Sequence, residues 1–184
     1  MLDAIVRLLA REGARAVTHR AVAEEAGTTH GSARYCFGTR DRLLDEALGR
    51  LAEHQIAEVR NRLSSTPGVS PPAHAARLAR YLTGAVDDDR DACIARYELF
   101  LEVARRPHLR PTLDVWGDAQ RRAFAVEPAA AGADGPEGDA AHLPALLDGL
   151  ILEQLAVPDP DFERTRLRPA IERYLVGPGS GGAM

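Results

Sequence analysis

Apolar residues recur at three- and four-residue intervals through almost the whole chain. No segment alternates apolar with polar in the two-residue period of a strand. That pattern confines the fold to helices packed on helices, so the expected class is all-α. Leu2, Ile5, Val6 and Leu9 make the first stripe. The second helix is bounded by Thr18, whose hydroxyl can accept from the free amides of a first turn, and by Gly27. A third, very short helix spans residues 29 to about 36, and Gly38 and Thr39 then break and recap the chain. Leu44, Leu48, Leu51, Val59 and Leu63 support a long linking helix over about residues 40–63.

Residues 64–72 read as a Ser/Pro/Gly linker, with Ser70 as a cap and Pro71 in the first turn that follows. Ala75, Leu78, Ala79, Leu82 and Val86 stripe the next helix, which the aspartates at 87–89 end. The helix over about residues 91–106 carries Cys93, Tyr97, Phe100, Leu101 and Ala104. On it, Glu98 and Glu102 are expected to pair with Arg96, Arg105 or Arg106. Pro107 stops that helix, and Pro111 opens another containing Leu113, Trp116 and Phe124. Residues 127–139 are Ala/Gly/Pro-rich and aperiodic, as in a loop. Leu143, Leu146, Leu147, Leu150 and Ile151 form the clearest stripe of the carboxyl half. Leu167, Ala170, Ile171, Tyr174 and Leu175 repeat it, with Pro169 placing a helix start or kink near residues 166–167. Residues 177–184 read as a disordered tail.

Composition narrows the function. At 45% hydrophobic and 27% charged, a chain of 184 residues can build a core without disulfides or metal. No apolar run approaches the ~18 residues of a membrane span, and Asp3 and Arg7 within the opening segment do not suit a signal peptide. Only two cysteines occur, Cys36 and Cys93, on different expected helices, so a cytoplasmic protein is expected. The first fifty residues hold eight arginines against seven acids, and the remainder fifteen against twenty, which suits a DNA-facing amino end. The six histidines are dispersed, and neither a Cys/His metal cluster, a phosphate-cradling glycine loop nor a nucleophile elbow is apparent. Neither an enzyme nor a cofactor is expected.

The segment THRAVAEEAGTTHGSARYCFGTR, residues 18–40, places a helix, a glycine turn and a short second helix in succession. This is the helix-turn-helix arrangement, whose second helix enters the DNA major groove. LDAIVRLLAREGARAVTHRAVAEEAG followed by TTHGSARYCFGTRDRLL resembles the TetR (tetracycline-repressor-like) family of bacterial transcriptional regulators. The resemblance implies a three-helix DNA-binding domain over residues 1–45 and a ligand-binding and dimerisation domain over 46–176. It also implies residue roles by position. Thr18 is a phosphate contact, and Thr29, His30, Gly31 and Ser32 form the base-facing start of the recognition helix. Arg34 stands where many members have a phosphate-binding tyrosine, Tyr35 touches phosphate or base, and Arg40 is a phosphate clamp. Cys36 departs from the more usual histidine or tyrosine.

Tyr97, Phe100, Leu101 and Trp116 are the candidate walls of an effector cavity. Leu143, Leu146, Leu147, Leu150, Ile151, Leu167, Ile171 and Tyr174 are the candidate dimer interface, because two adjacent apolar helices make half of a four-helix bundle. The expected protein is a homodimeric repressor, released from a palindromic operator by a small hydrophobic effector, with the long helix as the lever. The alternative is a dimeric helical small-molecule binding protein that has lost DNA specificity.

Overall fold

The computed structural model describes residues 1–63, 70–124 and 142–176. Most of the expected linker (64–69), the expected loop at 127–139 and the expected tail at 177–184 lie outside the described residues. Among the described residues every regular element is helical: α1 (Leu2–Glu12), α2 (His19–Glu25), α3 (His30–Phe37), α4 (Arg40–Leu63), α5 (Pro71–Asp88), α6 (Arg90–Arg105), α7 (Arg110–Phe124), α8 (Leu143–Ala156) and α9 (Arg168–Val176). No helix of the described residues is long and apolar enough to cross a membrane.

The chain divides into two compact units, residues 1–57 with 89–118, and residues 58–88 with 119–184. In the first unit α6 packs on α1. There α1 buries Ala4, Ile5, Leu8 and Leu9, while Leu2 and Val6 of the expected stripe are partly buried against the same core. Ala95, Leu99 and Val103 of α6 join the same core as Leu43, Leu44, Ala47 and Leu48 of α4. Ile5, Leu9, Leu43, Leu44, Leu48 and Leu99 are all at most 1% exposed, and burial of each such side chain contributes about 1.5–3 kcal/mol.

Local chemistry sets the helix boundaries. Thr18 Oγ1 accepts from the Ala21 amide at 3.2 Å and starts α2. Thr29 Oγ1 accepts from the Ser32 amide at 3.1 Å and starts α3. Thr39 Oγ1 accepts from the Arg42 amide at 3.2 Å at the head of α4. Among the described residues Gly13, Gly27 and Gly38 have positive φ. Gly13, ending α1, has φ 76° and ψ 174°, a region reserved almost entirely for glycine. Gly38 has φ 66° and ψ −73°, and Thr39 N donates to Phe37 O across it at 2.7 Å. That is a positive-φ γ-turn, rare and strained for any residue with a Cβ. It joins α3 to α4 with almost no connecting chain. Ala33 and Phe37 are the buried residues of α3, one helical turn apart, and they anchor it.

In the second unit, Ala75, Leu78, Ala79, Leu82 and Val86 of α5 are buried, as their stripe predicts. α5 packs on α9 and α8. Pro169 falls in the first turn of α9, directly after a wide π-type turn over Glu163–Leu167. The wider turn makes room for a proline ring that would otherwise meet the carbonyl four residues earlier. The expected dimer residues divide here. Leu143, Leu147, Ile151, Leu167 and Ile171 are 0–3% exposed within the single chain. They have no surface left to offer a partner, so their stripe is internal core. Leu146 is 40% exposed, and Leu150 and Tyr174 are partly exposed. Leu152, absent from the expected set, is 51% exposed on α8.

Candidate nucleic-acid interface

The turn between α2 and α3 positions a polar, solvent-facing surface. Thr18, Thr29, His30, Gly31, Ser32, Arg34, Tyr35 and Cys36 are all exposed, and Tyr35 reaches 91%. The Thr29 and Ser32 hydroxyls lie 2.9 Å apart. Thr29 already accepts from the Ser32 amide, so if it donates to Ser32 Oγ the serine O–H is left free for an acceptor on a base edge. α3 carries no acidic side chain in its first turn, which keeps the positive end of its dipole uncompensated. Glu25, at the end of α2, accepts from Arg7 Nε at 2.7 Å and Arg11 Nη2 at 3.0 Å. Those hydrogen bonds, Arg7's first, hold its carboxyl below the usual carboxylate range.

His19 escaped notice at the level of motif. Its ring stands edge-on to that of His30, with centroids 6.4 Å apart at 86°. The available signal was its place directly after the capping Thr18.

Arg40, half-buried, has two of its guanidinium nitrogens engaged within the chain. The expected phosphate clamp donates through Nε to Val17 O at 3.0 Å and through Nη2 to Ala14 O. Burial, then the nearby Arg106, lower its pKa from the ordinary arginine value. The Ala14 carbonyl also accepts from the Val17 amide at 3.3 Å, and the guanidinium fork ties it to the Val17 carbonyl at the α1–α2 connection. Arg34, by contrast, is exposed.

The effector candidates also divide. Tyr97 and Phe100 of α6 meet edge-on at 6.0 Å, and Phe100 meets Trp116 of α7 at 5.4 Å. The Arg96 guanidinium carbon lies 4.6 Å from the Tyr97 ring centre. Trp116 is 2% exposed, and its indole Nε1 is buried without a hydrogen-bond partner among the described residues. Leu101, also expected there, is 52% exposed. Nor did Glu98 pair with an arginine as expected. Its Oε2 accepts from the Ala14 amide at 3.2 Å. A separate open cleft of about 210 Å³ is lined by Leu2, Asp45, Glu46, Gly49, Arg50, Glu53 and Thr112, none of which was an effector candidate.

Comparison with known proteins matches this layout. Residues 1–47 match the family described as bacterial regulatory proteins, tetR family, and residues 69–177 match the tetracyclin repressor-like C-terminal domain. A TetR family member from Streptomyces coelicolor A3, SCO1917, shares 32% identity over 94% of each chain, with a TM-score of 0.74. The multidrug binding protein EbrR, solved with imidazole, shares 32% identity over 97% of this chain and 89% of its own, with a TM-score of 0.73. The HTH-type nicotine-responsive transcriptional repressor HdnoR of Paenarthrobacter nicotinovorans is 23% identical over 108 residues, a match covering 59% of this chain and 55% of that repressor. With its helix-turn-helix and its carboxyl domain both accounted for, the chain belongs to the TetR family of bacterial regulators.

Proposed function

We propose that this protein is a transcriptional repressor that binds a near-palindromic operator as a homodimer and is released by a small effector. The observation that carries the DNA-binding part is the face of α3. Ala33 and Phe37 hold the helix, while Thr29, His30, Gly31, Ser32, Arg34 and Tyr35 form one exposed surface. Two such helices in a two-fold dimer would read half-sites about 34–36 Å apart. The partly exposed apolar residues of α8, Leu146, Leu150 and Leu152, together with Tyr174, support a homodimer face. A cytoplasmic location follows from this reading.

For the effector, the aromatic group of Tyr97, Phe100 and Trp116 supports a flat, largely apolar molecule. EbrR, a relative that binds several drugs, supports the same class. Release requires only that the effector bind the DNA-incompetent conformer better, with a coupling of ~1–3 kcal/mol.

The deciding experiment selects duplexes from a randomised pool with the purified protein. It then compares the winner with a random duplex across a salt series. Convergence on a palindrome, with a preference that persists as salt rises, is the expected result. Failure to converge would favour a small-molecule binding protein without DNA specificity.

Three substitutions sort the roles within α3. Arg34→Ala is expected to weaken binding to every duplex and reduce the salt slope by about 1, the signature of one lost phosphate contact. His30→Ala or Ser32→Ala is expected to change the preferred bases instead, at about 1–3 kcal/mol of discrimination per lost base contact. Equal losses on the selected and random duplexes would remove the base-reading role.

A further inference from the structure

The helix-turn-helix is held at both ends by the segment that follows α5. Before the motif, the Ala14 amide donates to Glu98 Oε2 of α6 at 3.2 Å. After it, Asp41 in the first turn of α4 takes Arg106 Nε at 3.3 Å and His108 Nε2 at 3.0 Å. Thr112 Oγ1 adds a bond to Asp45 Oδ1 at 2.6 Å. Arg40 closes the frame, because its Nη2 donates to the carbonyl of the same Ala14 whose amide Glu98 holds. Both polar groups of Ala14 are thereby taken by side chains from two different helices, 26 and 84 residues away in sequence.

The contact at Ala14 is more than packing. Ala95, Leu99 and Val103 already seat α6 in the shared apolar core. Glu98 lies outside that stripe and reaches the connection between α1 and α2. Its Oε2 comes within 3.3 Å of where a Cβ on Gly13 would be. Ala14 opens a 3-10 turn, and the first amides of such a turn have no acceptor within it. A carboxylate here fixes the direction in which the chain leaves α1, and that direction sets where α2 and α3 point.

We infer that Glu98 is a positioning residue for DNA recognition, setting the orientation of the recognition helix by holding the Ala14 peptide against Arg40. This rests on the DNA-binding reading above. It also gives α6 a direct grip on the motif from the same stretch of helix that carries Tyr97 and Phe100.

The test uses the full-length protein, a duplex selected by the wild type from a randomised pool, and a random duplex of equal length. Glu98→Ala is expected to lose about tenfold in affinity for the selected duplex, the scale of one hydrogen bond to a charged group. Binding to the random duplex and the salt slope should not change, since no phosphate contact is removed. Glu98→Gln keeps an acceptor at the same reach and is expected to stay within about twofold of wild type. Glu98→Asp, one methylene shorter, is expected to behave like Glu98→Ala and serves in its place should the alanine variant not fold. Unchanged selectivity in Glu98→Ala and Glu98→Asp would overturn the assignment. An equal loss on both duplexes would overturn it too, because that marks a smaller folded fraction. Failure of the wild type to enrich any duplex would instead remove the DNA-binding reading, and the inference with it.

Discussion

Leu147→Asp is expected to abolish the cooperative folding of the second unit. Leu147 is 1% exposed within the single chain and sits in a row with Leu143, Ile151 and Leu155. Removing a buried leucine side chain costs about 2–5 kcal/mol. An unpaired carboxylate left in its place adds several kcal/mol more. Together these rival the ~5–15 kcal/mol that holds a whole domain folded. Circular dichroism should show loss of helix or a strongly lowered melting temperature. The contrasting substitution is Leu152→Asp, at a position 51% exposed, where surface changes stay within about 0.5 kcal/mol. That variant should fold, and light scattering should show monomers where the wild type is expected to be dimeric. A folded Leu152→Asp dimer would move the proposed interface off this face of α8, and a normally melting Leu147→Asp would contradict the burial itself.

Gly13→Ala carries the second large effect, through two separable causes. The φ 76°, ψ 174° backbone is one that only glycine adopts comfortably, and forcing a side chain there costs about 1–3 kcal/mol. The new Cβ would also lie 3.3 Å from Glu98 Oε2, so the carboxylate has to give way. For a chain of this size each kcal/mol lowers the melting temperature by roughly 2–4 °C, and a fall of about 5–10 °C is expected. The double variant Gly13→Ala with Glu98→Ala separates the causes. It should recover the steric part and leave the backbone part, so the two changes are expected to be non-additive. Strict additivity would mean that the carboxylate does not press on Gly13 in solution.

These two predictions mark the line between what could be read from the sequence and what could not. The boundaries of α2 and α3 were legible, because Thr18, Gly27 and Thr29 act on amides and carbonyls only a few residues away. The stripes of α1 and α5 were legible for a similar reason, since helical period alone decides which face is apolar. The stripe of α8 was read correctly as apolar, but its Leu143, Leu147 and Ile151, expected at an interface, are buried within the single chain. Nothing in Leu143, Leu147 and Ile151 says whether their partner is the same chain or a second copy. Arg40 and Glu98 carry the same ambiguity. A guanidinium is equally suited to a phosphate or to two backbone carbonyls, and a glutamate to an arginine or to an amide 84 residues away. Which partner it meets is decided by tertiary approach, and no local pattern encodes that.

The short recognition helix, gripped by Ala33 and Phe37, also bears on how such a regulator changes over generations. Thr29, His30, Ser32, Arg34 and Tyr35 are exposed, so most exchanges among them shift stability by no more than about 0.5 kcal/mol; Thr29, which caps the helix, is the costlier one, at about 1 kcal/mol. The part that reads and the part that holds are thus carried by different side chains of one eight-residue helix. A lineage can rewrite its target site one substitution at a time, each intermediate still folded, and duplicated copies can drift to separate promoters while keeping the same scaffold.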